Sequence, residues 1–148
     1  MDFVGLRFFS VWGPGQRRDL ALEAFRRRIE AGEPVTIHGD GSQRRDLTHV
    51  SDVARAVELA LRWEGTGAVV LNVGTGRNHS VLDMLEAARK AVGKTSNPGS
   101  GFTAFYTPVN HLPAHPADVP ETLAGIDNVR VMLGWTPRIL FPETAPAD

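Results

Sequence analysis

From Phe3 to Phe9 the chain is short, apolar and aromatic, the pattern of a buried strand. The Gly13-Pro14-Gly15 run breaks it. Asp19 then predicts a cap for a helix running to about Ala31, with Leu22, Phe25 and Ile29 on one face and Arg26, Arg27 and Arg28 around the rest. Gly32 and Pro34 end that helix. Val35 to His38 reads as the next strand, followed by a glycine turn and an extended piece through Val50. The spacing of Val53, Val57, Ala60 and Leu61 predicts a helix from Ser51 to about Trp63, capped by Ser51 or Asp52. Val69 to Val73 is another buried strand. Ser80 to Val92 follows as an amphipathic helix with Val81, Leu85, Ala88 and Val92 inward, opened by a Ser80/Asp83 capping box. Beyond it come a polar loop over 94–101, a strand from Thr103 to Tyr106, a proline-rich segment from Pro108 to Pro120, a short helix around Asp127 to Leu133, and an irregular tail. Strands alternating with helices make the chain α/β.

Composition narrows the function classes. A chain of 148 residues can bury the core of one domain, and a net charge of −1 calls for neither nucleic acid nor a membrane surface. No cysteine is present, which removes disulfides, thiolate catalysis and cysteine-ligated metal. No apolar run reaches the roughly 18 residues that span a bilayer. Met1 to Val4 lack the basic region and hydrophobic core of a signal peptide, so a cytoplasmic location is expected.

The run from Gly39 to Asp52 (GDGSQRRDLTHVSD) carries the most chemistry, because it sets a tight glycine turn just before two arginines and an acid. Such a turn tolerates positive φ and can join two strands as a hairpin. A guanidinium fixed beside it offers a planar fork to paired phosphate oxygens; a hairpin with surface arginines reads the same way. In an extended piece Arg44 and Arg45 point to opposite faces, and Asp46 orients the arginine or satisfies local backbone donors. Gly74-Thr75-Gly76 lacks the third glycine of a dinucleotide fingerprint and reads as a turn leading to a helix. His111 and His115 have helical ligand spacing, but Pro113 and Pro116 forbid a regular helix there, so no metal site is expected.

The motifs stand in a telling order: Leu6 to Gln16 (LRFFSVWGPGQ), the Gly39 run, Leu71 to Gly76 (LNVGTG), and Pro116 to Thr122 (PADVPET) ahead of Leu133 to Pro137 (LGWTP). Over about residues 3–139 the chain resembles the C-terminal, substrate-binding half of the NAD-dependent epimerase/dehydratase family, extended short-chain dehydrogenases of the nucleotide-sugar 4-epimerase and 4,6-dehydratase type. The resemblance implies the C-terminal portion of a Rossmann-like fold, with short strands, a hairpin and three main helices, lacking the N-terminal NAD-binding βαβ units. It implies a substrate-binding part over 1–139, with 1–18 the remnant of the last NAD-domain strand, and an irregular tail over 140–148. The family's glycine-rich NAD turn and Tyr-x-x-x-Lys pair have no counterpart: Tyr106 is the only tyrosine, and Asn110 stands four residues on. No catalytic residue is therefore expected here, and NAD is expected in an intact family enzyme but not on this chain alone.

The same resemblance supplies site residues. Arg45 matches the diphosphate-gripping arginine. Thr36 and His38 fall where the family holds the nucleotide base; His38 either stacks on a uracil or thymine or is a polar strand-end residue. Asp19 and Leu20 begin the helix that caps base and phosphates, a role helix capping explains equally for Asp19. Asp118 matches the acid of a late loop. Ser10 stands where the family usually has asparagine, His115 where many members have a second arginine, and Glu121 where relatives are often basic. The implied partner is a nucleotide-sugar. A strand at Phe3 to Phe9 that has lost a neighbour implies a homodimer or a separate Rossmann chain; a standalone nucleotide-sugar binder, an interaction module and a non-functional remnant are the alternatives.

Overall fold

The computed structural model describes residues 2–95 and 107–143. Of the loop expected over 94–101, Lys94 and Thr95 are instead helical; its remainder, the strand expected at Thr103 to Tyr106 and the end of the tail lie outside the described residues. Among the described residues the fold is mixed α/β, as expected. These residues form two compact units interleaved in sequence, one from residues up to Gly15, Arg45–Asn78 and from Glu121 on, the other from Gln16–Arg44 and His79–Pro120.

In the first unit β1 (Phe3–Phe8) pairs in parallel with β5 (Ala68–Val73), Phe3 opposite Ala68 and Phe8 opposite Val73. β2 (Ser10–Trp12) runs parallel to β4 (Arg44–His49), with Ser10 opposite Leu47 and Trp12 opposite His49. A short strand, β6 (Asn78–Ser80), lies where the chain passes from the first unit to the second. Helices α2 (Val50–Leu61) and α4 (Asp127–Leu133) join the strands of the first unit. Ala56, Leu71, Val73, Val129, Leu133 and Trp135 form the core, and burying each large side chain contributes about 1.5–3 kcal/mol.

Helix α2 departs from its expected form. It starts at Val50, and its N-cap is His49, whose ring accepts the Ser51 amide, rather than Ser51 or Asp52. Its buried residues are Asp52 and Ala56, while Val57 and Leu61 are 40% and 82% exposed. Val57, Ala60, Leu61 and Trp63 instead line a groove with Phe3, Val4 and Leu6.

In the second unit α1 (Ala21–Glu30) packs on α3 (Val81–Thr95), and β3 (Val35–His38) pairs in parallel with β7 (Val109–Leu112). Phe25 and Ile29 are buried on α1, and Met84, Leu85, Ala88 and Val92 on α3. The α3 capping box is present: Ser80 N donates to Asp83 Oδ2 at 2.8 Å and Asp83 N to Ser80 Oγ at 3.0 Å. Asp19 does not cap α1. Leu20 is the N-cap, without a side-chain bond, and the Asp19 carboxylate is taken by Arg17 Nε at 3.0 Å. Nor does the glycine turn close a hairpin, because β3 and β4 belong to different sheets. β7 was not expected within the proline-rich segment.

Candidate functional site

The glycine turn is built by Asp40, whose Oδ1 accepts the Ser42 amide at 2.9 Å and its hydroxyl at 2.7 Å. Those bonds, the hydroxyl's foremost, hold the Asp40 carboxyl below the usual carboxylate range. Gly41 has φ +83° and an added Cβ would lie 2.9 Å from Leu82 Cγ, so both conformation and space require glycine. The chain then enters β4 with Arg44 exposed and Arg45 half-buried, consistent with the alternating pleat.

Asp46, fully buried, turns to the other face. Its Oδ1 accepts the Thr75 amide and hydroxyl, each at 2.7 Å, and its Oδ2 accepts Gly76 N at 3.0 Å and Ala124 N at 3.1 Å. Its own amide donates to Thr122 Oγ1 at 3.2 Å. The carboxylate thus satisfies local backbone donors, one of the two roles its position suggested. Gly74 makes this possible, since an added Cβ would sit 2.3 Å from Ala124 Cβ and 3.0 Å from Asp46 Oδ2. The Gly74–Gly76 turn therefore does not fit the pyrophosphate of a dinucleotide: amides such a turn would offer are already bound to a carboxylate, which would repel a phosphate.

The β2–β4 register decides what accompanies Arg45. Ser10 is opposite Leu47, and Leu47 shares a face with Arg45, so exposed Ser10 and half-buried Arg45 lie on one face of the pair. Trp12 and His49 share that face and meet edge-on, ring centroids 4.8 Å apart.

The six remaining residues, Asp19, Leu20, Thr36, His38, His115 and Asp118, belong to the second unit. Thr36 is half-buried on β3 opposite Asn110. Exposed His38 ends the strand with Nδ1 3.4 Å from the Pro113 carbonyl. Gln43 Nε2 donates to the His38 carbonyl at 2.7 Å and to Asp118 Oδ2 at 3.3 Å. Asp118 N donates to the His115 carbonyl at 2.9 Å, and His115 Nδ1 accepts Ala117 N at 3.2 Å. Asp19 and Leu20 lie at the entry to α1, where Asp19 is bonded to Arg17. The sequence reading missed Gln43; its only local signal is an amide side chain closing a glycine turn. Among the described residues no three His, Asp or Glu side chains are arranged to hold a metal ion, and no helix is long and apolar enough to cross a membrane.

Known proteins are similar to this chain in sequence and fold. The chain is 31% identical over 144 residues to a UDP-glucuronate 4-epimerase of Thermodesulfobacterium geofontis, covering 97% of this chain and 41% of that protein. It is 28% identical to a dTDP-glucose 4,6-dehydratase of Streptomyces niveus, over 97% of this chain and 39% of that one. Among solved structures, MoeE5 in complex with UDP-glucuronic acid and NAD superposes with a TM-score of 0.81 at 37% identity, over 95% of this chain and 43% of MoeE5. The chain thus spans about two fifths of the length of these relatives. The sequence model of the NAD dependent epimerase/dehydratase family matches residues 1–74, from β1 through the buried Asp46 to the close-packed Gly74, and on that match this chain belongs to that family.

Proposed function

We propose that this chain is the C-terminal, substrate-binding portion of an NAD-dependent nucleotide-sugar epimerase or dehydratase, supplying nucleotide and diphosphate contacts with Arg45 as the diphosphate grip. The observation that carries the reading is the shared face of Arg45 and Ser10, with Asp46 anchored on the other side of the strand. A half-buried guanidinium makes charge-assisted, bidentate bonds to diphosphate oxygens, and the Ser10 hydroxyl adds one donor and two acceptor sites. In the second unit Thr36, His38 and Asp118 are assigned to the nucleotide. In neutral His38 the bond to the Pro113 carbonyl puts the proton on Nδ1 and leaves Nε2 an acceptor. His115 has the opposite tautomer, because its Nδ1 accepts, and so its Nε2 is a donor suited to an anion. Asp19 and Leu20, at the entry to α1, complete the assignment. The UDP-glucuronic acid bound to MoeE5 supports a nucleotide diphosphate as the ligand class. The sequence holds no Tyr-x-x-x-Lys pair, so the role assigned here is binding.

Calorimetric titration of UDP-glucose into the wild-type chain, Arg45→Ala and Arg44→Ala tests this. Arg45→Ala is expected to lose about 1.5–3 kcal/mol, roughly tenfold or more in affinity, and Arg44→Ala little. Equal losses would mean that general positive charge, not a placed fork, holds the ligand.

One observation favours a second reading, an interaction module docking on a separate Rossmann chain or a second copy. β1 is an edge strand of its two-stranded sheet, and its Phe3 and Phe8 are 50% and 43% exposed.

A further inference from the structure

We infer that Asp46 is the positioning residue of the diphosphate site: it fills an anion-binding nest made by the Thr75, Gly76 and Ala124 amides and thereby fixes the backbone from which Arg45 projects. The inference rests on the assignment of Arg45 above. Both carboxylate oxygens are occupied, Oδ1 by the Thr75 amide and hydroxyl and Oδ2 by the Gly76 and Ala124 amides, all between 2.7 and 3.1 Å. Converging backbone amides form a concavity that selects an anion, and here the chain supplies its own. The Asp46 amide is held as well, by Thr122 Oγ1, so residue 46 is tied through main chain and side chain together.

The consequence for Arg45 is geometric. A strand residue whose neighbour is fixed at both ends cannot shift register or twist, and a one-residue slip would send the guanidinium to the opposite face. An arginine side chain has several rotatable bonds, so affinity depends on how few of its orientations remain when the ligand arrives. Gly74, lacking a Cβ, lets the nest close to carboxylate size, because any side chain there would strike Ala124. Asparagine in place of Asp46 would set an NH2 group against amide donors, opening the nest with almost no change in volume.

The test compares Asp46→Asn with Thr75→Val, which removes only the hydroxyl, and with Val129→Ala, a core truncation that leaves the nest intact. Two readouts are followed in 15N-labelled protein: the Arg45 Nε–Hε resonance, assigned by its loss in Arg45→Lys, and UDP affinity. In folded Asp46→Asn the Arg45 resonance is expected to broaden or shift and UDP affinity to fall about tenfold. Thr75→Val is expected to show the same changes to a smaller degree, and decides the matter if Asp46→Asn does not fold. Val129→Ala should lower the melting temperature and leave both readouts in place. An unchanged Arg45 resonance in folded nest variants, or equal changes in Val129→Ala, would overturn the positioning role. A wild-type chain that takes up no UDP would remove the diphosphate assignment, and the Arg45 resonance would still decide what Asp46 does.

Discussion

The indole of Trp135 donates its Nε1 hydrogen to the main-chain carbonyl of Asp52 at 2.9 Å, a buried bond that joins the segment after α4 to the first turn of α2. Around it the Asp52 carboxylate accepts Arg138 N at 2.8 Å, Ile139 N at 2.9 Å and Arg55 Nη2 at 2.8 Å, and the Arg55 guanidinium lies 5.5 Å from the centre of the Trp135 ring. The Leu133-Gly134-Trp135 sequence is thus a structural clasp. Removing the carboxylate strands two main-chain donors. Asp52→Ala is expected to destabilise the protein by about 3 kcal/mol, or roughly 6–12 °C in melting temperature. Circular dichroism melting checks this; a shift below about 2 °C would show that water readily replaces the carboxylate.

His49 makes stability depend on pH. Burial pushes its imidazole below the usual histidine range, a shift only partly opposed by the nearby Asp52 carboxylate. Its Nδ1 accepts the Ser51 amide at 3.3 Å, a bond protonation would abolish. The folded state therefore favours neutral His49, and its contribution is fully present above the unfolded histidine pKa of about 6.5 and lost as pH falls through the lower folded value. Unfolding of wild type and His49→Gln from pH 8 to 5 should show a shallower decline in the variant. Parallel curves would assign the decline to other groups.

Glu23 places a second transition at lower pH. Hydrogen bonds from Arg26 and then Arg27 draw its carboxyl down to about 2 against the cost of burial. Stability from this cluster is present above the unfolded glutamate pKa of about 4.3 and declines as pH falls toward the folded value. Glu23→Gln should remove that part of the acid limb and leave the His49 region unchanged. A variant that follows wild type down to pH 2 would show that Glu23 is not linked to folding.

NAD is not expected to bind this chain by itself. The Thr75 and Gly76 amides already hold Asp46, and the Gly13–Gly15 and Gly39–Gly41 turns have Arg18 and Arg44 where the third glycine of a dinucleotide fingerprint would stand. Fluorescence titration with NAD checks this, and stoichiometric binding at micromolar affinity would refute it.

Association is expected through the edge of β1. Phe3 and Phe8 are exposed there, and hydrophobic contact of this kind persists in high salt, unlike contact through the arginine clusters. Light scattering should find dimers or larger species at low and high salt, and Phe8→Lys should reduce them. A stable monomer in both conditions would show that the edge needs no cover.

Period and punctuation made β3, β5, α1 and α3 legible, because each hides a face that its own sequence spells out; β1 is a strand as expected, but none of its residues is buried, against the buried strand that its apolar run predicts. Other features depended on distant partners. β7 has four residues between Pro108 and Pro113, too few to show a period, and gains strand geometry only from β3. The start of α2 was misread because the cap is an imidazole rather than a hydroxyl or carboxylate. Asp19 had the right chemistry for a cap, but Arg17 engages it. At the candidate site the Gly39 run displayed Arg45 and Asp46, whereas the bridge from Gln43 to Asp118 joins residues 75 apart and leaves no local trace.

The parallel pairings also order events as the chain is made. Arg7 on β1 waits for Asn72, 65 residues later, and His38 at the end of β3 for Pro113, 75 residues later. At about 5–20 residues per second of synthesis, each strand emerges from the ribosome several seconds before its partner. During that interval β1 cannot pair with β5, so this sheet rests on a long-range parallel pairing that forms late and slows folding.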